Sequence, residues 1–161
     1  MNPAGSIRKL GVIGDVHAEH RRLSSALKYL QSLNVDATVC TGDLVDGLGC
    51  PNESIRLLHS AATYTVRGNH DRWLIEVTAR QNEHALLTTD LSEDALSYFV
   101  SLPRQETLDT MKGKLLLHHG AAYDDLRKVW LVTASMPFAR THPFLETILP
   151  STYTNLLTCN N

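Results

Sequence analysis

The amino-acid sequence predicts an α/β fold built on a largely parallel sheet, and three observations predict it. Short apolar runs alternate with segments of helical period. The early runs each stop at a glycine. The residues straight after those glycines are Asp, His and Asn, so chemistry-bearing side chains stand at the carboxyl ends of strands, where open α/β sheets keep their ligand sites.

The elements follow in order. KLGVIG (9–14) reads as a buried strand. Leu23, Ala26, Leu27, Leu30 and Leu33 then recur at helical spacing, with Arg21, Arg22 and Lys28 between them. DATVCTG (36–42) is a second apolar run ending in glycine. Pro51 and Asn52 open a helix whose apolar face comes from SIRLLHS (54–60). ATYTVRG (62–68), β-branched and aromatic, is a third strand. Trp73, Leu74 and Val77 predict a helix after it; Ala95, Leu96, Phe99 and Leu102 predict another, stopped by Pro103. ETLDTMKGKLLLHHG (106–120) reads as a hairpin turning at Lys112 and Gly113.

A length of 161 residues suits one domain with one hydrophobic core. A formal net charge of −2 gives no support to a nucleic-acid surface. No apolar run approaches bilayer-spanning length, and the first residues lack the apolar core of a signal peptide. Cys40, Cys50 and Cys159 are scattered, which argues against a disulfide framework or a zinc knuckle. These features lead to an expectation of cytoplasmic residence, without a membrane partner.

The strand ends are the informative part. The first apolar run delivers Gly14-Asp15-Val16-His17, the second Gly42-Asp43-Leu44-Val45-Asp46, the third Gly68-Asn69-His70-Asp71, and the hairpin His118-His119-Gly120. Carboxylate, imidazole and amide oxygen together are ligands for borderline or hard divalent metals. An aspartate can bridge two ions, and two ions about 3.5–4 Å apart can bind a phosphoryl group and activate a water. The plainer reading is that Asp15 and Asp43 cap helices and His70 is a loop histidine; four such clusters in one chain weigh against it.

D-x-H, G-D-x-x-D, G-N-H-D and a later H-G, in this order and each after a strand, resemble the calcineurin-like metallophosphoesterases, of the small bacterial type rather than the large protein phosphatases. The resemblance covers roughly residues 7 to 129. It implies an α/β sandwich of two mixed β-sheets flanked by helices. It implies two divalent ions (Mn, Fe, Co, Ni or Zn) and hydrolysis of a phosphomonoester or phosphodiester by metal-activated hydroxide, the substrate being a small phosphate ester or a nucleotide. By the same resemblance Asp15 and His17 are ligands of the first metal, Asp43 bridges, and Asn69 and His119 are ligands of the second. His70 contacts the phosphate and protonates the leaving oxygen, Asp46 orients it, and Gly68 supplies a tight turn. His118 is then a neighbouring strand residue. Arg67 and Arg72 flank the motif as candidate phosphate-binding groups, with solvent-facing arginines as the plainer reading. Ala18 stands where the family usually has glycine.

The family's last motif, G-H-x-H, is missing. Residues 131–161 hold only two charged residues, Arg140 and Glu146, and show no sustained period. The expected division is therefore a phosphoesterase domain over 1–130 and an atypical tail over 131–161, with a fold incomplete at its C-terminus. In one reading the tail is divergent and His142 still reaches a metal. In another it is out of frame: RTHPF can be encoded CGG-ACA-CAC-CCA-T, and the frame one base later reads Gly-His-Thr-His. A chain that keeps the fold but not the full metal site would be an impaired or inactive remnant. A poorly packed tail predicts that limited proteolysis cuts only beyond about residue 130, at the boundary where buried apolar pattern ends; a wholly resistant tail would contradict it.

Overall fold

A computed structural model describes residues 7–80, 82–121 and 124–127, and the backbone of 153–157. Strand β1 (Leu10–Ile13) pairs in parallel with β2 (Ala37–Cys40), and β2 with β3 (Tyr64–Thr65). Strand β4 (Gln105–Thr110) pairs antiparallel with β5 (Gly113–His118), and β6 (Tyr153–Leu157) runs parallel to β5. The result is two three-stranded sheets, ordered β1-β2-β3 and β4-β5-β6. Helices α1 (His20–Ser32), α2 (Pro51–Ser60), α3 (Asn69–Ile75) and α4 (Glu93–Ser101), with a short 3-10 helix over Thr88–Asp90, complete the described elements.

The sheets meet through Ile7, Val39, Val66, Leu108, Leu115 and Leu117, which bury their side chains between them. A second cluster lies among the helices and strand ends: Leu23 of α1, Ile55 and Leu58 of α2, Leu74 of α3 and Phe99 of α4 pack with Cys40, Leu44 and Val45. Residues at i, i+3 and i+4 on each helix thus meet one core, as the apolar spacing requires. Cys40 is one of its small members, fully buried. The predicted α/β sandwich of two sheets with flanking helices is the observed fold. Among the described residues no helix is long and apolar enough to cross a membrane.

Three details differ from the sequence reading. Strand β3 is only two residues long, because the chain leaves the ladder after Thr65 to approach β2 at the strand ends. The helix expected from Trp73 begins at Asn69, and Val77 lies beyond it with 75% of its surface exposed. Asp71 starts that helix early: its Oδ2 accepts the Gly68 N–H at 2.8 Å, satisfying an amide at the helix entrance. Within the segment read as aperiodic, Tyr153–Leu157 forms β6. The rest of that segment, His142 included, lies outside the described residues.

Helix α2 ends in a Schellman arrangement: the Ala62 N–H donates to the His59 carbonyl (3.0 Å) and the Thr63 N–H to the Leu58 carbonyl (3.2 Å). Ala62 carries the left-handed conformation, φ 51°, that this motif reserves for glycine. Ala62→Gly should therefore stabilise the fold, by about 0.5–1 kcal/mol, since the strain removed exceeds the chain entropy added. A urea midpoint that rises with unchanged slope is the expected result.

Candidate metal centre

Two turns and a helix entrance build the site. After β1 the chain turns through Asp15 (φ 47°), His17 (φ 41°) and Ala18 (φ 58°); after β2 it turns through Asp43 (φ 52°) and Asp46 (φ 63°). Left-handed backbone at five non-glycine residues, four of them metal-type or acid–base side chains, is costly and clusters at functional sites. The turns are laced together: the His17 N–H donates to the Asp43 carbonyl and the Ala18 N–H to the Leu44 carbonyl, both at 2.8 Å. Ala18 shows why a glycine belongs there, although a buried methyl group is accommodated.

Asp43 lies at the centre, with no side-chain exposure. Its Oδ1 accepts the His70 backbone N–H at 3.0 Å. Around it stand three imidazoles, each with Nδ1 committed to an acceptor. His119 Nδ1 meets the Thr41 carbonyl at 2.8 Å; His17 Nδ1 lies 3.1 Å and 3.2 Å from the Val45 and Asp46 carbonyls; His70 Nδ1 meets Asp46 Oδ2 at 2.9 Å. Carbonyls and carboxylates only accept, so each Nδ1 carries a proton and each neutral ring presents a bare lone pair at Nε2. His119 Nε2 is 2.9 Å from Asn69 Oδ1 and 3.6 Å from Asp43 Oδ2, and His17 Nε2 is 4.0 Å from the same Oδ2. Acceptors facing acceptors call for a shared cation, whether a proton or a metal, and an Nδ1–H held by a carbonyl or carboxylate is how metal-ligating histidines are oriented. The donor set fits divalent ions.

The candidate ligand atoms form two sets that share Asp43: His17, Asp43 and His70, and Asp15, Asp43 and His119, all within 4.8 Å in each set. The sequence reading assigned Asp15 and His17 to one ion; in these two sets Asp15 stands with His119 and His17 with His70, and all four approach Asp43. Asn69, at the first residue of α3, lies on the His119 side through its side-chain oxygen.

A model of the calcineurin-like phosphoesterase family matches residues 8–149. The chain belongs to the calcineurin-like phosphoesterase family. A symmetrical bis(5'-nucleosyl)-tetraphosphatase from Xanthomonas oryzae is 33% identical over 109 residues, 59% of this chain and 34% of that protein, so the chain spans about a third of that relative's length. The crystal structure of a hypothetical protein from Pyrococcus horikoshii superposes with a TM-score of 0.73 at 14% identity, covering 94% of this chain and 69% of that one. A metallophosphoesterase from Sphaerobacter thermophilus gives a TM-score of 0.56 at 24% identity, covering 78% of this chain and 52% of that one. The family match runs past residue 129, where the motif resemblance ended.

The fate of the other residues follows from this calcineurin-like framework. Asp46 and His70 are in contact. The Arg72 guanidinium is held by Asp125 (2.6 Å and 3.0 Å) and Glu76 (3.0 Å), contacts that raise its pKa. The Arg67 Nε is buried without a hydrogen-bond partner. Neither is simply solvent-facing. His118, the last residue of β5, is fully buried, and burial lowers its pKa.

Sequence reasoning missed two residues. Asp71 is wholly buried; its Oδ1 accepts the Leu44 N–H and its Oδ2 the Gly68 N–H, both at 2.8 Å, tying the two turns together. Burial, with Asp43 nearby, pushes its carboxyl up to about 6. Its signal was present, as the fourth residue of Gly-Asn-His-Asp. Arg80, with its Nε 3.1 Å from Asp46 Oδ2, had none, because it falls in an aperiodic segment.

The tight-turn role expected of Gly68 is corrected: its φ of −92° and ψ of −175° are open to any residue. What excludes a side chain is Asp43, whose Oδ1 and backbone N would lie 2.1 Å and 2.5 Å from a Cβ at position 68. Gly42 opposite has φ 103°, and a Cβ there would lie 2.4 Å from the Gly68 N. Gly68→Ala should cost about 1–3 kcal/mol by overpacking and displace Asp43. Chemical denaturation and metal titration of the variant check both effects.

Proposed function

We propose that the chain is a dinuclear metal-dependent phosphoesterase that hydrolyses a phosphomonoester or phosphodiester of nucleotide type in the cytoplasm. The observation that carries this reading is Asp43, shared between two ligand sets whose imidazoles all have Nδ1 taken up by an oxygen. Asp15, His17, Asp43, Asn69 and His119 would hold the ions, with Mn, Fe, Co, Ni or Zn all compatible with nitrogen and oxygen donors. Such ions, when bound, supply Lewis acidity toward a phosphoryl group and a lowered pKa for water.

The remaining steps belong to the chain's own residues. Asp46 keeps the proton on His70 Nδ1 and offsets the positive charge when Nε2 is also protonated. His70 then delivers that Nε2 proton to the leaving oxygen. Its grouping with His17 and Asp43 supports this role. The tetraphosphatase name of the Xanthomonas relative supports a nucleotide substrate.

A second reading, a remnant that keeps the fold with an impaired site, is favoured by the absence of G-H-x-H. One measurement separates the two. Protein supplied with Mn should hold about two ions per chain by elemental analysis and turn over bis-p-nitrophenyl phosphate. Asp43→Ala should lower both metal content and turnover, the latter by at least about 100-fold. Less than one ion with no turnover would favour the remnant.

A further inference from the structure

Arg80 lies outside every motif, in the segment between α3 and α4, yet its side chain is only 7% exposed. A buried guanidinium is unfavourable unless a charge and hydrogen bonds compensate it. Here Asp46 supplies the charge, its Oδ2 3.1 Å from Nε, and the Leu86 carbonyl accepts a hydrogen bond from Nη2; Nε and Nη1 are buried without a hydrogen-bond partner. The Leu86 N–H in turn donates to Asp46 Oδ1 at 2.8 Å.

Asp46 is itself fully buried. Its Oδ2 lies between Arg80 and the His70 Nδ1–H, and its Oδ1 is held by Leu86, so neither oxygen is left to turn. The His70 ring packs edge-on against His17 and Trp73, each with a centroid 4.9 Å away. Those contacts limit the ring laterally; the Asp46 carboxylate sets its rotation.

We infer that Arg80 is a positioning residue that clamps Asp46 onto His70 and so ties the segment between α3 and α4 to the reacting centre. The inference rests on the reading in which His70 protonates the leaving oxygen. In that step the P–O bond breaks, its electron pair takes the proton from His70 Nε2, and the ring returns to neutral with Nδ1–H still on Asp46. Arg80 touches neither phosphorus nor the candidate ligands. It keeps the Asp46 carboxylate aimed at the ring while the proton leaves Nε2.

Arg80→Ala and Arg80→Lys test this. In the metal-free protein, the downfield Nδ1–H proton resonance of His70 should be present in the wild type, lost in Arg80→Ala and retained in part in Arg80→Lys. With metal supplied, Arg80→Ala should lower kcat for a dialkyl phosphodiester at least about tenfold more than for bis-p-nitrophenyl phosphate, whose leaving group needs little protonation. KM should stay within about twofold, as expected of an interaction made only in the transition state. Millimolar guanidinium should restore part of the alkyl rate. An unchanged His70 resonance, or equal losses on both substrates without guanidinium rescue, would overturn the inference. If Arg80→Ala does not fold, Arg80→Lys carries the same comparisons, because a lysine cannot reach Asp46 and the Leu86 carbonyl together. A wild type that hydrolyses no phosphate ester would sink the functional reading instead, and the resonance comparison would still decide the clamp.

Discussion

A carboxylate without solvent exposure needs compensation, and Asp43 imposes that need on everything around it. The backbone N–H of His70 answers one oxygen, and the imidazoles of His17 and His119 approach the other. Because those rings spend their Nδ1 protons on fixed oxygens, what they offer Asp43 is lone pairs. A divalent cation bound among them would add positive charge to this arrangement.

Local cost concentrates where that demand is met. Positive φ values at Asp15, His17, Ala18, Asp43 and Asp46 are held by inter-turn hydrogen bonds and by Asp71, which grips the amides of Leu44 and Gly68. Gly42 and Gly68 let the β2 and β3 ends close to a distance no side chain would allow. Rigid strand ends, buttressed by two apolar clusters, are what make such strained turns sustainable. The core stabilises the fold, and the strained turns spend part of that stability on ligand geometry.

The His70 side of the site is organised differently. His70 contacts a buried carboxylate, and that carboxylate meets Arg80 and a backbone amide, both from the segment between α3 and α4. Phosphate-binding cations are less evident: Arg72 is engaged by Asp125 and Glu76. In a family whose members share the fold and differ in their loops, such segments are where substrate preference is decided.

The amino-acid sequence alone determined the α/β class, the succession of strands and helices along the chain, and the delivery of Asp, His and Asn to strand ends. Apolar period and glycine punctuation are local signals, and the motifs lie within a few residues of each strand. It also showed no G-H-x-H within residues 1–161. Only the tertiary structure decided that Asp15 sits with His119 and His17 with His70, that Asp71 joins two turns, and that Gly68 is glycine for the sake of Asp43. It alone brought Arg80 to Asp46. Those relations join residues 25 to 104 positions apart in the chain, and proximity across such separations arises from how sheets and helices pack, which no local period encodes.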